Sequence, residues 1–342
     1  MKTATIPENR VEQILTTIRN VRVAVYGDFC LDAYWMLDPR GGEISEETGR
    51  RAQAVREAYY TLGGASNVVA NLAALQPAEI RTISAIGDDM FGRELLRQLH
   101  QLGVKTEAMV YQQNDFDTPV FGKRYLKDEE QPRIDFGFFN RRTPETDQHI
   151  INNIRESLKN VDVLVFNQQI PGCLTDHFID LANQMFHEYT DKLIILDSRH
   201  YGDRLNNVIR KTNHLEAARH AGQSSAPDCA ETDQLEEFAR CLFAKSQKPV
   251  FITRGTEGLL TADKSGVHSI PGLHIAGKID PVGAGDTVTS ALALSLAAQA
   301  SPAEAAGFAN IAAGVTVQKL FRTGTANRQE ILALAKSAVY RN

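Results

Sequence analysis

The sequence predicts an α/β fold in which a mostly parallel sheet is flanked by helices. Two observations support this fold class. First, short apolar runs typical of buried strands recur at Val21 to Tyr26, Ile80 to Ile86, Val161 to Phe166, Leu193 to Leu196 and Val250 to Thr253. Second, stretches with helical periodicity lie between these runs, and strands that alternate with helices pair in parallel.

The helices can be placed in chain order from their apolar spacing and their end signals. Val11, Ile14, Leu15 and Ile18 mark one face of a helix over Glu8 to Asn20. Gly63-Gly64 opens a tightly packed helix from Ala65 to Leu75. Asp88 or Asp89 caps the next helix, which Gly103 ends. The last third is helical over Ala284 to Ala300, Pro302 to Leu320 and Asn327 to Val339.

Three other segments are predicted to be strands or loops. Leu259 to Ala262 and Val267 to Ile270 form a hairpin through a polar turn, and residues 222–228 form a loop. Thr118 to Phe139 is predicted to form two strands joined by a polar stretch, whereas Gly41 to Tyr60 is charged and is expected to be helical. Together, residues 34–62 and 118–139 are expected to form a small lid beside the main sheet.

Composition limits the classes of function. The chain has 342 residues and a formal net charge of -5, which argues against bulk binding to nucleic acid or to anionic membranes. Its four separated cysteines form no C-x-x-C pair, so we expect a reducing compartment. Met1 to Asn20 is polar and has no apolar signal-peptide core, and no apolar run reaches the length of a membrane span. We therefore expect a cytoplasmic protein without a leader.

The segment with the most specific chemistry is Gly283-Ala284-Gly285-Asp286, which precedes a helical run. Small residues let the backbone approach a ligand closely, and the N–H groups at a helix start bind phosphoryl oxygens. Phosphoryl transfer also uses a carboxylate that accepts the proton of the acceptor hydroxyl. Asp286 fits that role, and it fits a helix cap equally well. A Walker P-loop, protein-kinase motifs and a dinucleotide-binding G-x-G-x-x-G do not occur, which disfavours a nicotinamide-dependent dehydrogenase.

Six short motifs in register resemble the ribokinase (PfkB) family of carbohydrate kinases from about Val21 to Leu334. They are Gly27-Asp28 with Asp32, Gly63-Gly64-Ala65-Ser66-Asn67, Gly87-Asp88-Asp89-Met90-Phe91-Gly92, Asn213-His214-Leu215-Glu216, Thr253-Arg254-Gly255-Thr256-Glu257-Gly258 and the turn ending in Asp286. The resemblance implies a single ribokinase-like kinase domain over residues 1–342 with the lid inserted in it. It also implies ATP and Mg²⁺ as cofactors, and it allows K⁺ beside Pro281.

The resemblance assigns a role to each motif. Asp286 is the expected catalytic base, with the amides of Gly283, Ala284 and Gly285 stabilising charge. Asp28, Asp32, Gly63, Gly64 and Asn67 are expected to bind the sugar. Asn213, Glu216, Thr253, Gly255 and Gly258 are expected to bind ATP, and Glu216 is expected to organise Mg²⁺ through water. A catalytically silent sugar- or nucleotide-binding regulator is the alternative, and the retention of Asp286, Asn213 and Glu216 disfavours it.

Within the family, the chain is most similar to the heptose 7-phosphate kinases, which form the kinase half of bifunctional ADP-heptose synthases. The similarity rests on Leu31-Asp32-Ala33-Tyr34-Trp35, Gly64-Ala65-Ser66-Asn67-Val68 and Arg133-Ile134-Asp135-Phe136. A phosphorylated acceptor needs cations, for which Lys123, Arg124 and Arg133 are candidates. A ribose, fructose or nucleoside acceptor remains an alternative. We expect no nucleotidyltransferase half, since the sequence ends at Asn342. A homodimer through the lid is also implied.

Overall fold

The computed structural model describes residues 1–127, 129–223, 232–320 and 324–341. Most of the loop predicted over residues 222–228, and Cys229 with it, lie outside the described residues. Within them, Cys30, Cys173 and Cys241 carry free thiols.

The strands are β1 (Lys2–Thr3), β2 (Arg22–Gly27), β3 (Phe29–Leu37), β4 (Val55–Gly64), β5 (Glu79–Ile83), β6 (Ala85–Gly87), β7 (Val110–Gln112), β8 (Val120–Leu126), β9 (Glu129–Phe136), β10 (Val163–Gln168), β11 (Leu193–Ser198), β12 (Ile209–Asn213), β13 (Val250–Thr253), β14 (Leu259–Asp263) and β15 (Gly266–Ile270). The helices are α1 (Glu8–Ile18), α2 (Ala65–Leu75), α3 (Met90–Gln101), α4 (Pro144–Leu158), α5 (Asp176–Glu188), α6 (His214–His220), α7 (Thr232–Ser246), α8 (Ala284–Ala297), α9 (Pro302–Thr316) and α10 (Arg328–Ser337), with one 3₁₀ turn at Gly255–Glu257.

In the part of the chain that the structure describes, the main sheet has nine strands in the order β1-β15-β14-β13-β12-β11-β10-β2-β5. From β13 to β5 every neighbouring pair is parallel, whereas β13, β14 and β15 form an antiparallel meander. Helices α1, α2, α8, α9 and α10 contribute to the apolar core on one face, and α4 and α5 to the core on the other. The predicted α/β fold with a mostly parallel sheet flanked by helices is therefore confirmed.

The second sheet is a four-stranded lid in the order β4-β3-β8-β9. The two strands expected within Thr118 to Phe139 are β8 and β9. The helix expected over Gly41 to Tyr60 is wrong, because Val55–Gly64 is a strand paired with β3 and residues 38–54 are irregular around an Ile44–Arg51 bridge. The first five residues of β4 are exposed, so the strand lacks the apolar alternation that normally identifies one.

The predicted end signals of the helices agree with the structure. Asp89 is the N-cap of α3 and its side chain accepts from the Gly92 amide at 2.7 Å, while Gly103 follows the helix with a left-handed φ of 70°.

The continuous strand expected from Ile80 to Ile86 is instead divided at Ser84, which accounts for β5 and β6. None of the described helices is long and apolar enough to cross a membrane.

Candidate active site

Asp286 lies in the first turn of α8, at the floor of a cleft above the carboxyl ends of the central strands. The helix begins after Gly283, whose φ of 79° is a left-handed conformation that glycine adopts without strain. Among the described residues, no side chain caps this helix start. Instead, the Asp286 carboxylate accepts a hydrogen bond of 2.7 Å from the side-chain amide of Asn67. The carboxylate is therefore turned towards α2 rather than used as a helix cap.

Burial raises the pKa of Asp286 to about 6. The bond from Asn67 opposes this rise, and the Asp197 carboxylate adds to it. A carboxylate with this pKa is ionised at neutral pH and is a stronger base than an exposed aspartate. The balance of these influences suits Asp286 to accept a proton.

Asn67 is fixed by contacts between α2 and α8. Asn67 is 2% exposed, and the Asn71 side chain donates to the backbone carbonyl oxygen of Asn67 at 2.9 Å. Asn71 in turn accepts from the Thr287 hydroxyl at 2.7 Å. Gly64, with a φ of 51°, precedes the helix, and a Cβ there would lie 2.6 Å from the Asp28 carbonyl oxygen. The motif over residues 63–67 thus places the side-chain amide of Asn67 against Asp286, the predicted base.

The cleft above Asp286 is polar and has a volume of about 570 Å³. Nine of the predicted site residues line it: Asp32, Gly64, Arg133, Asn213, Glu216, Thr253, Gly283, Gly285 and Asp286. It also contains Asp135, Asp197, Arg199, His200 and Lys211, which the sequence reasoning did not select. This mixture of cations, carboxylates and glycine amides suits a polyhydroxylated ligand beside a phosphate.

A second cleft, of about 490 Å³, adjoins the first and is largely apolar. Leu273, Ile275, Val288 and Val317 contribute to its walls, and the predicted residues Gly255, Gly258 and Ala284 line it as well. Thr253 and Gly285 belong to both clefts. A flat apolar ligand could therefore occupy the second cleft while a polar tail reaches the first turn of α8.

The lid supplies a partly buried ion pair that includes Asp32, one of the residues lining the polar cleft. Lys123 donates to the Asp32 carboxylate at 3.0 Å and to the Tyr34 hydroxyl at 3.2 Å. Burial alone would lower the pKa of Lys123, but the Asp32 carboxylate outweighs it and raises the pKa. Arg133 stacks over the Phe121 ring and lines the cleft. Arg124 instead donates to the Pro132 carbonyl oxygen and to Gln53.

Asp28 lies apart from the polar cleft. Its carboxylate accepts from the backbone amides of Gln169 and Ile170, both at 2.7 Å, and those two residues line the cleft. Burial raises the pKa of Asp28, and these amide bonds lower it. The geometry therefore connects Asp28 to the predicted sugar site through the 169–170 backbone. Gly63 is also outside the lining, with its Cα beside the Asp32 carboxylate.

Asn213 and Glu216 begin α6 as a capping box. The Asn213 side chain accepts from the Glu216 amide at 2.8 Å, and the Glu216 carboxylate accepts from the Asn213 amide at 2.9 Å. Glu216 is 6% exposed and lines the polar cleft, and its burial raises the pKa of the carboxyl group. This motif therefore does form a helix start. One carboxylate oxygen of Glu216 is used in the capping box, and the other could reach a ligand.

Lys211 and Asp197 were missed by the sequence reasoning. Lys211 donates to Asp197 at 3.0 Å, and the Thr289 hydroxyl of α8 donates to the same carboxylate at 2.6 Å. A Cβ on Gly285 would lie 3.2 Å from the Lys211 ammonium, so the cation touches the glycine turn. The signal available in the sequence was a lysine inside a buried strand, where a charged side chain is uncommon.

The sequence model of the pfkB family carbohydrate kinase matches residues 22–328. The chain belongs to this family. PfkB kinases are phosphotransferases that act on a sugar hydroxyl, so the predicted family and reaction class are both confirmed.

Two curated relatives support the same assignment. The bifunctional protein HldE of Shewanella denitrificans is 30% identical over 94% of this chain, and that of Citrifermentans bemidjiense is 32% identical over 94%. This PfkB chain spans 65% of the length of each relative.

Solved structures share the fold at low identity. Phosphofructokinase-2 of Escherichia coli in complex with potassium has a TM-score of 0.72, with 17% identity and coverage of 93% of this chain and 99% of that one. Ribokinase of Arabidopsis thaliana complexed with ribose and ATP has a TM-score of 0.67, with 18% identity and coverage of 93% and 99%. These likenesses confirm the ribokinase-like fold of this PfkB chain.

The carboxylates of the site fit a loosely held magnesium ion. Among the described residues, no group of three or more His, Cys, Asp or Glu side chains is arranged to hold a metal. Mg²⁺ usually keeps several waters and takes one or two carboxylates together with substrate phosphates. The Glu216 carboxylate in the cleft is compatible with that mode of binding.

Proposed function

We propose that this PfkB chain is an ATP-dependent kinase that transfers the γ-phosphate to a hydroxyl of a sugar or sugar phosphate, with a heptose 7-phosphate-like acceptor favoured. The single observation that carries the proposal is the hydrogen bond between Asn67 and Asp286. It joins the expected sugar-binding motif to the expected base at the junction of the polar and apolar clefts.

The proposed reaction is a direct transfer of the γ-phosphate to the acceptor hydroxyl. The acceptor lies in the polar cleft, and the Asp286 carboxylate takes the proton of its hydroxyl as that oxygen attacks the γ-phosphorus. The bond from the phosphorus to the bridging oxygen breaks and ADP leaves. The amides of residues 283–285 stabilise the charge on the transferred group, and Lys211 adds a fixed cation beside them. Mg²⁺, when bound near Glu216, would neutralise phosphate charge.

The rest of the catalytic and binding assignment is part of the same proposal. Asp32, Gly64 and Asn67 bind sugar hydroxyls, whereas Asp28 and Gly63 support that site from behind. Thr253, Gly255 and Gly258 bind the ATP phosphates, with Asn213 and Glu216 beside them. The described lid strands close over the acceptor as part of one kinase domain.

A phosphorylated acceptor is supported by the lid cations and by the relatives. Arg133 lines the polar cleft and Lys123 pairs with Asp32, which also lines it, and the HldE protein of Shewanella denitrificans is 30% identical over 94% of this chain. Arg124 is the matched control, since it lies on β8, the strand that pairs with the β9 strand of Arg133, and contacts Pro132 and Gln53 instead. We expect Arg133→Gln to raise the KM of a phosphorylated acceptor about tenfold with the KM of ATP unchanged, and Arg124→Gln to change neither.

A coupled ADP-release assay over free sugars, sugar phosphates and nucleosides tests the proposal. We expect the highest kcat/KM with heptose 7-phosphate, and no release by Asp286→Asn, which controls for contaminating activity. A preference for ribose, fructose or a nucleoside would reject the acceptor while leaving the kinase intact. Absence of acceptor-dependent ADP release from every compound would reject the kinase. Repeating the assay with Na⁺ in place of K⁺ tests the proposed monovalent cation.

We also propose a homodimer formed through the lid. Strands β4 and β9 are the edges of the lid sheet, so each offers backbone groups to a second copy. Light scattering after size exclusion should give twice the 37.8 kDa of the chain. A mass of one chain at assay concentrations would reject the dimer.

A further inference from the structure

The C-terminal residues 339–341 pair with the backbone that borders the apolar cleft. The His274 amide donates to the Val339 carbonyl oxygen at 2.7 Å, and the Arg341 amide donates to that of Gly272 at 2.8 Å. Between them, Leu273 and Tyr340 form an antiparallel bridge. Because the backbone on both sides is fixed in register, the Cα of Arg341 is fixed at the border of the cleft.

Arg341 has the only charged side chain among the described residues that line the apolar cleft. Its Nε donates to the Leu273 carbonyl oxygen at 3.4 Å, and one terminal nitrogen lies 3.8 Å from the Glu257 carboxylate. The side chain is 39% exposed. These two contacts hold the guanidinium at the rim of the cleft, where the side chain stays partly exposed.

The two ends of this cleft differ in chemistry. At one end, Thr253 and Gly285 connect it to the polar cleft and to Asp286. Its lining also includes Leu273, Gly314 and Arg341. A Cβ on Gly314 would lie 2.7 Å from the Leu273 side chain, so the glycine keeps this apolar part of the cleft open. A nucleotide with its phosphates at the junction would place its base in this apolar part.

We infer that Arg341 holds and selects the nucleobase of the phosphoryl donor by stacking its guanidinium on the face of the base that the apolar walls leave open. A planar guanidinium stacks on aromatic rings, and the larger ring system of a purine offers it more surface than a pyrimidine does. The inference rests on the proposed use of ATP. It goes beyond the expected ATP residues, none of which was assigned to the nucleobase.

The test compares Arg341→Ala, Arg341→Lys and the control Lys336→Ala by calorimetric titration with Mg²⁺ and ADP. Lys336 is on α10, is 63% exposed, pairs with Glu8 and does not line the cleft. We expect the Kd of ADP to rise about three- to thirtyfold in Arg341→Ala and less in Arg341→Lys, with no change in the control. In turnover assays, Arg341→Ala should raise the KM of ATP, leave kcat unchanged, and reduce the preference for ATP over CTP.

The outcomes separate this inference from the proposed function. A folded Arg341→Ala protein, with an unchanged melting temperature, that binds ADP as tightly as the unaltered chain would overturn the role of Arg341 alone. Failure of the unaltered chain to bind ADP would overturn the proposed donor and the role of Arg341 with it. An equal loss of affinity in Lys336→Ala would also overturn it, because the effect would then follow general surface charge.

Discussion

The hydrogen bond from Asn67 to Asp286 can be tested by moving the acid limb of the pH–rate profile. The Asn67 amide donates to the carboxylate at 2.7 Å and so favours its ionised form. Leucine has a similar size and cannot donate a hydrogen bond. Replacing Asn67 by Leu should therefore raise the pKa of Asp286 above its value of about 6.

The size of the shift follows from the strength of the bond. A hydrogen bond to a charged group contributes about 1.5–3 kcal/mol, and one pKa unit corresponds to about 1.4 kcal/mol, so we expect a rise of about one to two units. Asp286 accepts a proton only when ionised. At pH 7 the ionised fraction would then fall from about nine-tenths to between about one half and one tenth.

The assay is kcat/KM for the best acceptor between pH 5 and pH 9, which reports groups of the unliganded enzyme. The unaltered enzyme should lose activity below pH 6, and Asn67→Leu should lose it below about pH 7 to 8. Asn153→Leu is the matched control, since Asn153 also donates one side-chain bond, to the Ala108 carbonyl oxygen, far from the cleft. An acid limb at the same pH in Asn67→Leu and the unaltered enzyme would refute the assignment of Asp286 as the titrating base.

Five further substitutions test neighbouring parts of the site. Asp286→Asn should reduce turnover by orders of magnitude yet stabilise the ligand-free protein at pH 8 by about 1–3 kcal/mol. In the unaltered chain, the pKa of Asp286 in the folded state is about 6 and exceeds the ordinary 3.8. The free-energy cost of burying its charge is therefore absent below pH 4 and grows as the pH rises through 6. Equal urea midpoints for Asp286→Asn and the unaltered chain at pH 8 would contradict this. Asp28→Ala should raise the KM of the acceptor about tenfold with little change for ATP, because it releases the Ile170 amide, whereas Asp28→Asn should restore it; a change confined to ATP would exclude this role. Lys211→Met should lower kcat and move the acid limb to higher pH, since Lys211 lowers the pKa of Asp286, whereas Asp197→Asn should move it to lower pH; a limb that moves the same way in both variants would contradict this electrostatic argument.

The parts of the fold that could be predicted are those with local signals. The helix over Ala65–Leu75 and the strand over Val250–Thr253 have the predicted bounds, because glycine and polar residues punctuate them in the sequence. The lid strand Val55–Gly64 was not predicted, since its first half is exposed and charged and therefore lacks a period-two pattern. Exposure on both faces removes the signal on which strand prediction depends.

The features of the site also divide into those with a local signal in the sequence and those without one. Each glycine motif could be identified from its own few residues, but the contact between Asn67 and Asp286 joins positions 219 residues apart and follows from the packing of α2 against α8. Family resemblance assigned both residues to one expected site in advance, but neither the resemblance nor physical reasoning on the residues predicted their contact. Lys211 was missed for a related reason. It contacts Asp197 because β11 and β12 are adjacent, and adjacency between parallel strands depends on strand order, which no local pattern reveals.

The contribution of a buried ion pair to stability does not explain why Lys211 and Asp197 are buried together, whereas a bound ligand does. Removing both charges from water costs several kcal/mol, and a buried ion pair seldom stabilises a fold more than apolar residues of the same size would. Here the pair is anchored by the Thr289 hydroxyl and touches Gly285, so the ammonium is fixed beside the first turn of α8 before any ligand arrives. A cation held in place needs no reorganisation when negative charge develops next to it, which is the condition for electrostatic stabilisation of phosphoryl transfer. The pair is therefore better explained by the charge of the transferred group than by the stability of the sheet.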